Sequence, residues 1–176
     1  MILNNYWKYL AVMFDSGNLV QTEIIKNTGV RNTSGVSFGI TAGSSYYTSY
    51  INELSVNLYP RKNTTVRVGT GDTAVTADDY DLANDVTNAL SNVTNSQNLV
   101  VNDEGKLITT YLFSATNNTG NELTIKEVGI HKANIWGGSN GSEPKNSCFL
   151  ARKILDNPIT VPNGTSFTVN FVWEEN

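Results

Sequence analysis

The feature that most constrains this chain is a strict two-residue alternation near its C-terminus. In TSFTVNFVWEE, the residues Phe167, Val169, Phe171 and Trp173 recur at every second position, with Thr168 and Asn170 between them. Successive side chains of a strand point to opposite sides, so this spacing puts all four large apolar groups on one face. The segment is expected to be a central core strand, started by the turn Pro162-Asn163-Gly164. A second alternation, INELSVNLYP, turns Leu54, Val56 and Leu58 inward and ends at Pro60, which has no N–H for a ladder.

Further runs fit the same architecture. NLVQTEII, VSFGI, TTVRVGTG, NLVVND and SCFLARKI are short and bounded mostly by Gly, Asn or Pro. KLITTYLFSATNN and ELTIKEVGIHK, separated by Asn117-Asn118-Thr119-Gly120, are expected to form a β-hairpin. About ten short strands predict an all-β fold, an antiparallel, jelly-roll-like β-sandwich with an extended N-terminal arm over 1–17 and the sandwich over 18–176. Residues 72–94 are expected to form an irregular connection with at most a turn or two of helix, since Asp and Thr cap orphan amides. WGGSNGSEPKNS reads as a surface loop. The chain has 176 residues, which suits one core.

Composition matters most for what it excludes. Only 16% of the residues are charged and the net charge is -4, so polarity comes from Asn, Thr, Ser and Gly. Phosphate neutralisation needs clustered cations, and the nearest group, Arg61, Lys62 and Arg67, reads as a solvated strand end; no nucleic-acid partner is expected. No run approaches the roughly 20 apolar residues that span a bilayer, and the start lacks the basic head and cleavage site of a secretion signal; no membrane partner is expected. Cys148 is the one cysteine, which rules out an internal disulfide and predicts a buried strand thiol.

Catalytic chemistry has little to work with. His131 is the single histidine, expected on the surface at a strand end, and no GxSxG elbow accompanies it. Asp78, Asp79 and Asp81, flanked by Asp72 and Asp85, lack the EF-hand spacing and read as turn and capping residues, so no metal is expected. GTGD at Gly69 to Asp72 continues into neither a dinucleotide fingerprint nor a GK[ST], so its glycines are expected to supply positive φ where a strand ends. No catalytic residue and no cofactor are predicted. The aromatics Tyr6, Trp7, Tyr9 and Phe14 of the first 15 residues, Tyr46 and Tyr47 in GITAGSSYYTSY, and Trp136 are candidate interaction residues, because aromatic groups bury large areas at small entropic cost.

The order of several short pieces carries a resemblance. VRVGTGDTAVTADDYDLAND supplies Gly69, Thr70, Gly71, Thr73, Thr76, Asp79 and Leu82; the next run supplies Ile125, Glu127, Val128, Gly129 and Ile130; then come Leu150, Ala151 and Arg152, and finally Pro158, Val161 and Gly164. Across residues 66–173 this order resembles the tail-collar and tail-fibre attachment domains of tailed-bacteriophage virion proteins, departing from them at Val75, where proline is usual, and in the WGGSNGSEPKNS insertion. The resemblance implies a virion structural protein, made in the host cytoplasm, that binds other virion proteins of tail, collar, portal-proximal region or capsid and self-associates symmetrically. Its structural positions would be Gly69, Gly71, Asp79, Glu127, Gly129, Arg152 and Gly164. Glu127 and Arg152 fall on neighbouring candidate strands and are expected to form a buried or half-buried ion pair. Two other classes compete: a carbohydrate-binding or adhesin domain using exposed Trp and Tyr, and a glycoside hydrolase using the Asp cluster, whose carboxylates crowd one polar loop. A head-fibre or capsid-decorating role belongs to the same virion class.

Overall fold

A computed structural model describes residues 1–3, 25–40, 64–135 and 146–174. Eight strands follow one another: β1 (Ile25–Arg31), β2 (Ser37–Ile40), β3 (Thr64–Gly69), β4 (Ser91–Val101), β5 (Leu107–Thr116), β6 (Leu123–Ile135), β7 (Asn146–Val161) and β8 (Ser166–Glu174). Among the described residues the only helix is a single 3-10 turn, Thr87–Ala89, within the connection expected to be irregular. The fold is all-β, as the alternation requires. No helix among the described residues is long and apolar enough to cross a membrane.

The chain divides into two compact units, the first made of Met1–Thr64, Thr76–Asp81 and His131–Ala151, the second of Thr65–Val75, Leu82–Ile130 and Arg152–Asn176. In the first unit β1 pairs antiparallel with β2. Leu3 is buried and its N–H donates to the Leu150 carbonyl at 2.9 Å, so the start of the expected arm is tied down by its own chain. His131 is buried, 8% exposed, within β6, its ring 5.2 Å from that of Phe149. This corrects the expectation of a surface histidine at a strand end: the imidazole is a wall of an apolar layer.

The second unit holds most of two three-stranded sheets, ordered β3-β6-β7 and β4-β5-β8. In the latter all neighbours are antiparallel, with Phe113 opposite Val169 and Tyr111 opposite Phe171. The inward positions Tyr111, Phe113 and Ala115 of β5 and Phe167, Val169, Phe171 and Trp173 of β8 are buried, while Thr168, Asn170 and Val172 are exposed. Fully burying a side chain such as Phe or Val contributes about 1.5–3 kcal/mol, so this face anchors the unit. Val66 and Val68 of β3 and Ile125 and Val128 of β6 are buried as well.

Two strand expectations need correction. β8 is not central: among the described residues it lies at the end of its sheet, with β5 as its one neighbour. β5 and β6 form no hairpin either, because β5 pairs with β4 and β8 whereas β6 lies between β3 and β7. The cause is Asn117, fully buried, which turns the chain from one sheet to the other. Its Nδ2 donates to the carbonyls of Asn121 and Val161, each at 2.8 Å, and its Oδ1 accepts from Thr119 N and Oγ1 at 3.1 and 2.8 Å.

The hairpins that do form share one turn. In β1–β2, Asn32 Oδ1 accepts from the N–H groups of Ser34 and Val36, and Gly35 takes φ +76°. In β4–β5, Asn102 Oδ1 accepts from Glu104 and Lys106, and Gly105 takes φ +77°. The spacing Asn-x-x-Gly-x lets one side chain satisfy two turn amides while glycine supplies the left-handed residue. Gly164, at φ +82°, does the same before β8. β7 runs much further than SCFLARKI, through Pro158 to Val161, and tolerates the proline because it ends its sheet among the described residues.

Candidate functional site

The most organised polar centre of the chain lies in the second unit, around Glu127. This residue sits on β6 between buried Ile125 and Val128 and is itself fully buried. A carboxylate in such a place is tolerated only if its charge and its acceptor sites are met. Both are. Oε1 accepts from the N–H groups of Asn84 at 2.8 Å and Gly71 at 3.1 Å; Oε2 accepts from Ala83 N at 3.0 Å and from Arg152 Nε at 2.8 Å. Four donors fill the roughly four acceptor sites of an ionised carboxylate.

Arg152, on β7 and 2% exposed, continues the network, its Nη2 donating to the Thr73 carbonyl at 3.0 Å. The ion pair anticipated from sequence is thus fully buried and welds β6 to β7. It also pins both ends of the loop structure between β3 and β4. Alongside, Thr70 N donates to Asn84 O at 3.0 Å, Val86 N to Val68 O at 3.1 Å, and Val68 N to Thr87 Oγ1 at 2.8 Å. Residues 84–87 therefore run beside the end of β3 as an extra, irregular rung.

Gly69 and Gly71 exist for this approach. Neither has positive φ, which corrects the expectation drawn from GTGD. A Cβ on Gly69 would meet Glu127 Oε1 and stand 2.6 Å from Asn84 O; one on Gly71 would stand 2.5 Å from Ala83 Cβ and 2.6 Å from Glu127 Oε1. Space, not backbone freedom, requires glycine here. Gly129 is buried on β6, two residues beyond the carboxylate.

The acidic residues of the same stretch are engaged one by one. Asp72 pairs with Lys126 at 2.8 Å, and the ammonium's hydrogen bond and charge hold its carboxyl below the usual range. Asp85 takes Arg67 at 2.8 Å and accepts from Thr87 N, starting the 3-10 turn. In the first unit Asp79 accepts from Thr76 N and Oγ1 at 3.2 and 2.6 Å, closing a turn. Among the described residues no three His, Cys, Asp or Glu side chains converge as metal ligands. Cys148 is buried on β7, and desolvation pushes its thiol up to about 12.

The interaction candidates Tyr6, Trp7, Tyr9, Phe14, Tyr46, Tyr47 and Trp136 lie outside the described residues, as do Leu54, Val56, Leu58, Arg61 and Lys62. Sequence reasoning overlooked a different surface. On the outward side of β4-β5-β8, Thr110, Leu112, Ser114 and Thr116 of β5 face the same way as Ser166, Thr168, Asn170 and Val172 of β8, and none is charged. Ser114 and Thr168 hydroxyls meet at 3.0 Å, Thr116 and Ser166 at 2.9 Å. The signal was available in the scarcity of charge in those strands. No protein family, curated protein or solved structure matches the chain.

Proposed function

We propose that this chain is a structural component of a tailed-phage virion, a fibre, collar or tail adaptor that works through protein–protein assembly. One observation carries the reading: Gly69, Gly71, Thr73, Glu127 and Arg152, drawn from three separated pieces of the collar- and fibre-like pattern, meet at a single buried ion pair. Residues that define such a pattern by holding loops in place serve a scaffold. Glu127 has no acceptor site left for a substrate proton, and general acid–base work needs one. Its role is to present loops of fixed shape.

The test is direct. Mass spectrometry of purified particles should detect the chain at constant copy number, and electron microscopy with a labelled antibody should place it at the tail or collar. Particles free of the chain would overturn the proposal, while labelling on the capsid would move it to the decorating role.

A further inference from the structure

Edge strands expose unpaired N–H and C=O groups, and proteins that stay monomeric blunt them with charge or proline. Among the described residues β7 and β3 end one sheet and follow this practice: β7 carries Lys153, Asp156 and Pro158, and β3 carries Arg67. β4 does not. Its eleven residues, SNVTNSQNLVV, include no charge and no proline, and no strand lies on its other side among the described residues. Its one irregularity is near its start, where Asn92 takes φ 49° and the register with β5 shifts between Ser91 and Thr94. From Thr94 to Val101 it is regular.

β4 also projects beyond the core. Asn95 and Gln97 stand opposite the buried Phe113 and Tyr111, on the inward side, yet both are exposed, as is every residue from Asn92 to Asn98. Asn95 Oδ1 accepts from Val66 N at 2.7 Å, which leaves its amide donors facing outward from that bond. An exposed strand of neutral hydrogen-bonding residues is a surface for another strand.

We infer that β4 pairs antiparallel with β4 of a second copy of this chain, joining two β4-β5-β8 sheets into one six-stranded sheet about a twofold axis at Ser96. The sequence selects both the occupant and the register. Same-face pairing requires the axis to pass through a residue, and an axis at Ser96 overlaps the whole strand, setting Ser96 against Ser96, Asn95 against Gln97 and Thr94 against Asn98. Every pair joins two neutral hydrogen-bonding groups. An axis at Gln97 would set Thr94 against Val100 and Asn95 against Leu99; one at Asn98 would set Ser96 against Val100; one at Asn95 runs into the bulge. Despite a net charge of -4, two copies meet here with no like charges opposed. The inference rests on the assembly reading above for its setting in the particle.

Sedimentation of the purified full chain, with Ser96→Lys and Ser96→Cys variants, tests it. The wild type is expected at twice its 19.2 kDa mass in the micromolar range. Ser96→Lys puts two ammonium groups face to face at the axis and is expected to weaken the dimer by roughly tenfold or more, a loss of about 1.4 kcal/mol. Oxidised Ser96→Cys should give a disulfide-linked dimer on a non-reducing gel, whereas Thr168→Cys, exposed on β8, should not; Cys148 is buried and does not compete. A wild type that remains at 19.2 kDa, a dimer untouched by Ser96→Lys, or equal cross-linking of the two cysteine variants would overturn the pairing. Particle incorporation, scored separately, distinguishes the two proposals: a monomeric chain found in particles removes only the pairing, and a Ser96-linked dimer absent from particles removes only the virion reading.

Discussion

The surroundings of Glu127 and the free edge of β4 are built from opposite materials. Around Glu127 a full negative charge is buried, and each carboxylate oxygen takes two donors. Along β4 nothing is charged, and the hydrogen-bonding groups of an exposed strand are left to solvent or to a partner. The contrast shows where a chain with 16% charged residues spends them. A buried charge fixes geometry because any displacement leaves it unsatisfied. A neutral amide or hydroxyl can exchange water for a partner at small cost. Rigidity and availability therefore sit in different parts of the same unit.

The largest expected effect lies at the buried pair. Glu127→Gln leaves Arg152 charged and unmatched and turns an amide N–H₂ toward a backbone donor, which should cost about 3–5 kcal/mol in denaturant unfolding. A loss below ~1 kcal/mol would erase the distinction between the two regions. Next comes Gly71→Ala, whose methyl group has no room beside Ala83 and Glu127; overpacking of this kind costs about 1–3 kcal/mol, read as a lower melting temperature. Asn117→Ala orphans the carbonyls of Val161 and Asn121 and the Thr119 amide, and should cost about 2 kcal/mol by the same measurement. At the small end, Thr168→Ala on the outward face of β8 should change stability by less than ~0.5 kcal/mol, because its exposed hydroxyl bond to Ser114 is replaced by water.

Much of the fold was legible because its signals are local. The alternation from Phe167 to Trp173 names the buried face of β8 without reference to the rest of the chain. That strand's place at the end of its sheet was not legible, since neighbours are chosen by chain segments far away. The same limit misread Asn117-Asn118-Thr119-Gly120 as a hairpin turn. These residues have turn chemistry, but Asn117 bonds to Val161, forty-four positions on, and so carries the chain between sheets. The turns built on Asn32 and Asn102 carry an equally local Asn-x-x-Gly-x signal that was open to reading.

At the candidate site, opposite charges on neighbouring strands sufficed to pair Glu127 with Arg152. The amides of Gly71, Ala83 and Asn84 were out of reach, because backbone donors leave no mark in a sequence. For the same reason Gly69 and Gly71 were read as sources of positive φ, when what they provide is space beside a carboxylate. His131 was misplaced because a lone polar residue in a strand says nothing about which layer covers it; Phe149 does.

A double-mutant cycle on Glu127→Gln and Arg152→Met, followed by denaturant unfolding, bears most directly on whether this pair organises the unit. Each single variant should lose about 3–5 kcal/mol, and the double variant should lose at least ~2 kcal/mol less than the two combined, without regaining wild-type stability because the amides of Gly71, Ala83 and Asn84 still lack their carboxylate. Losses that simply add would mean that the two charges do not depend on each other, and the account of a carboxylate-centred scaffold would be wrong.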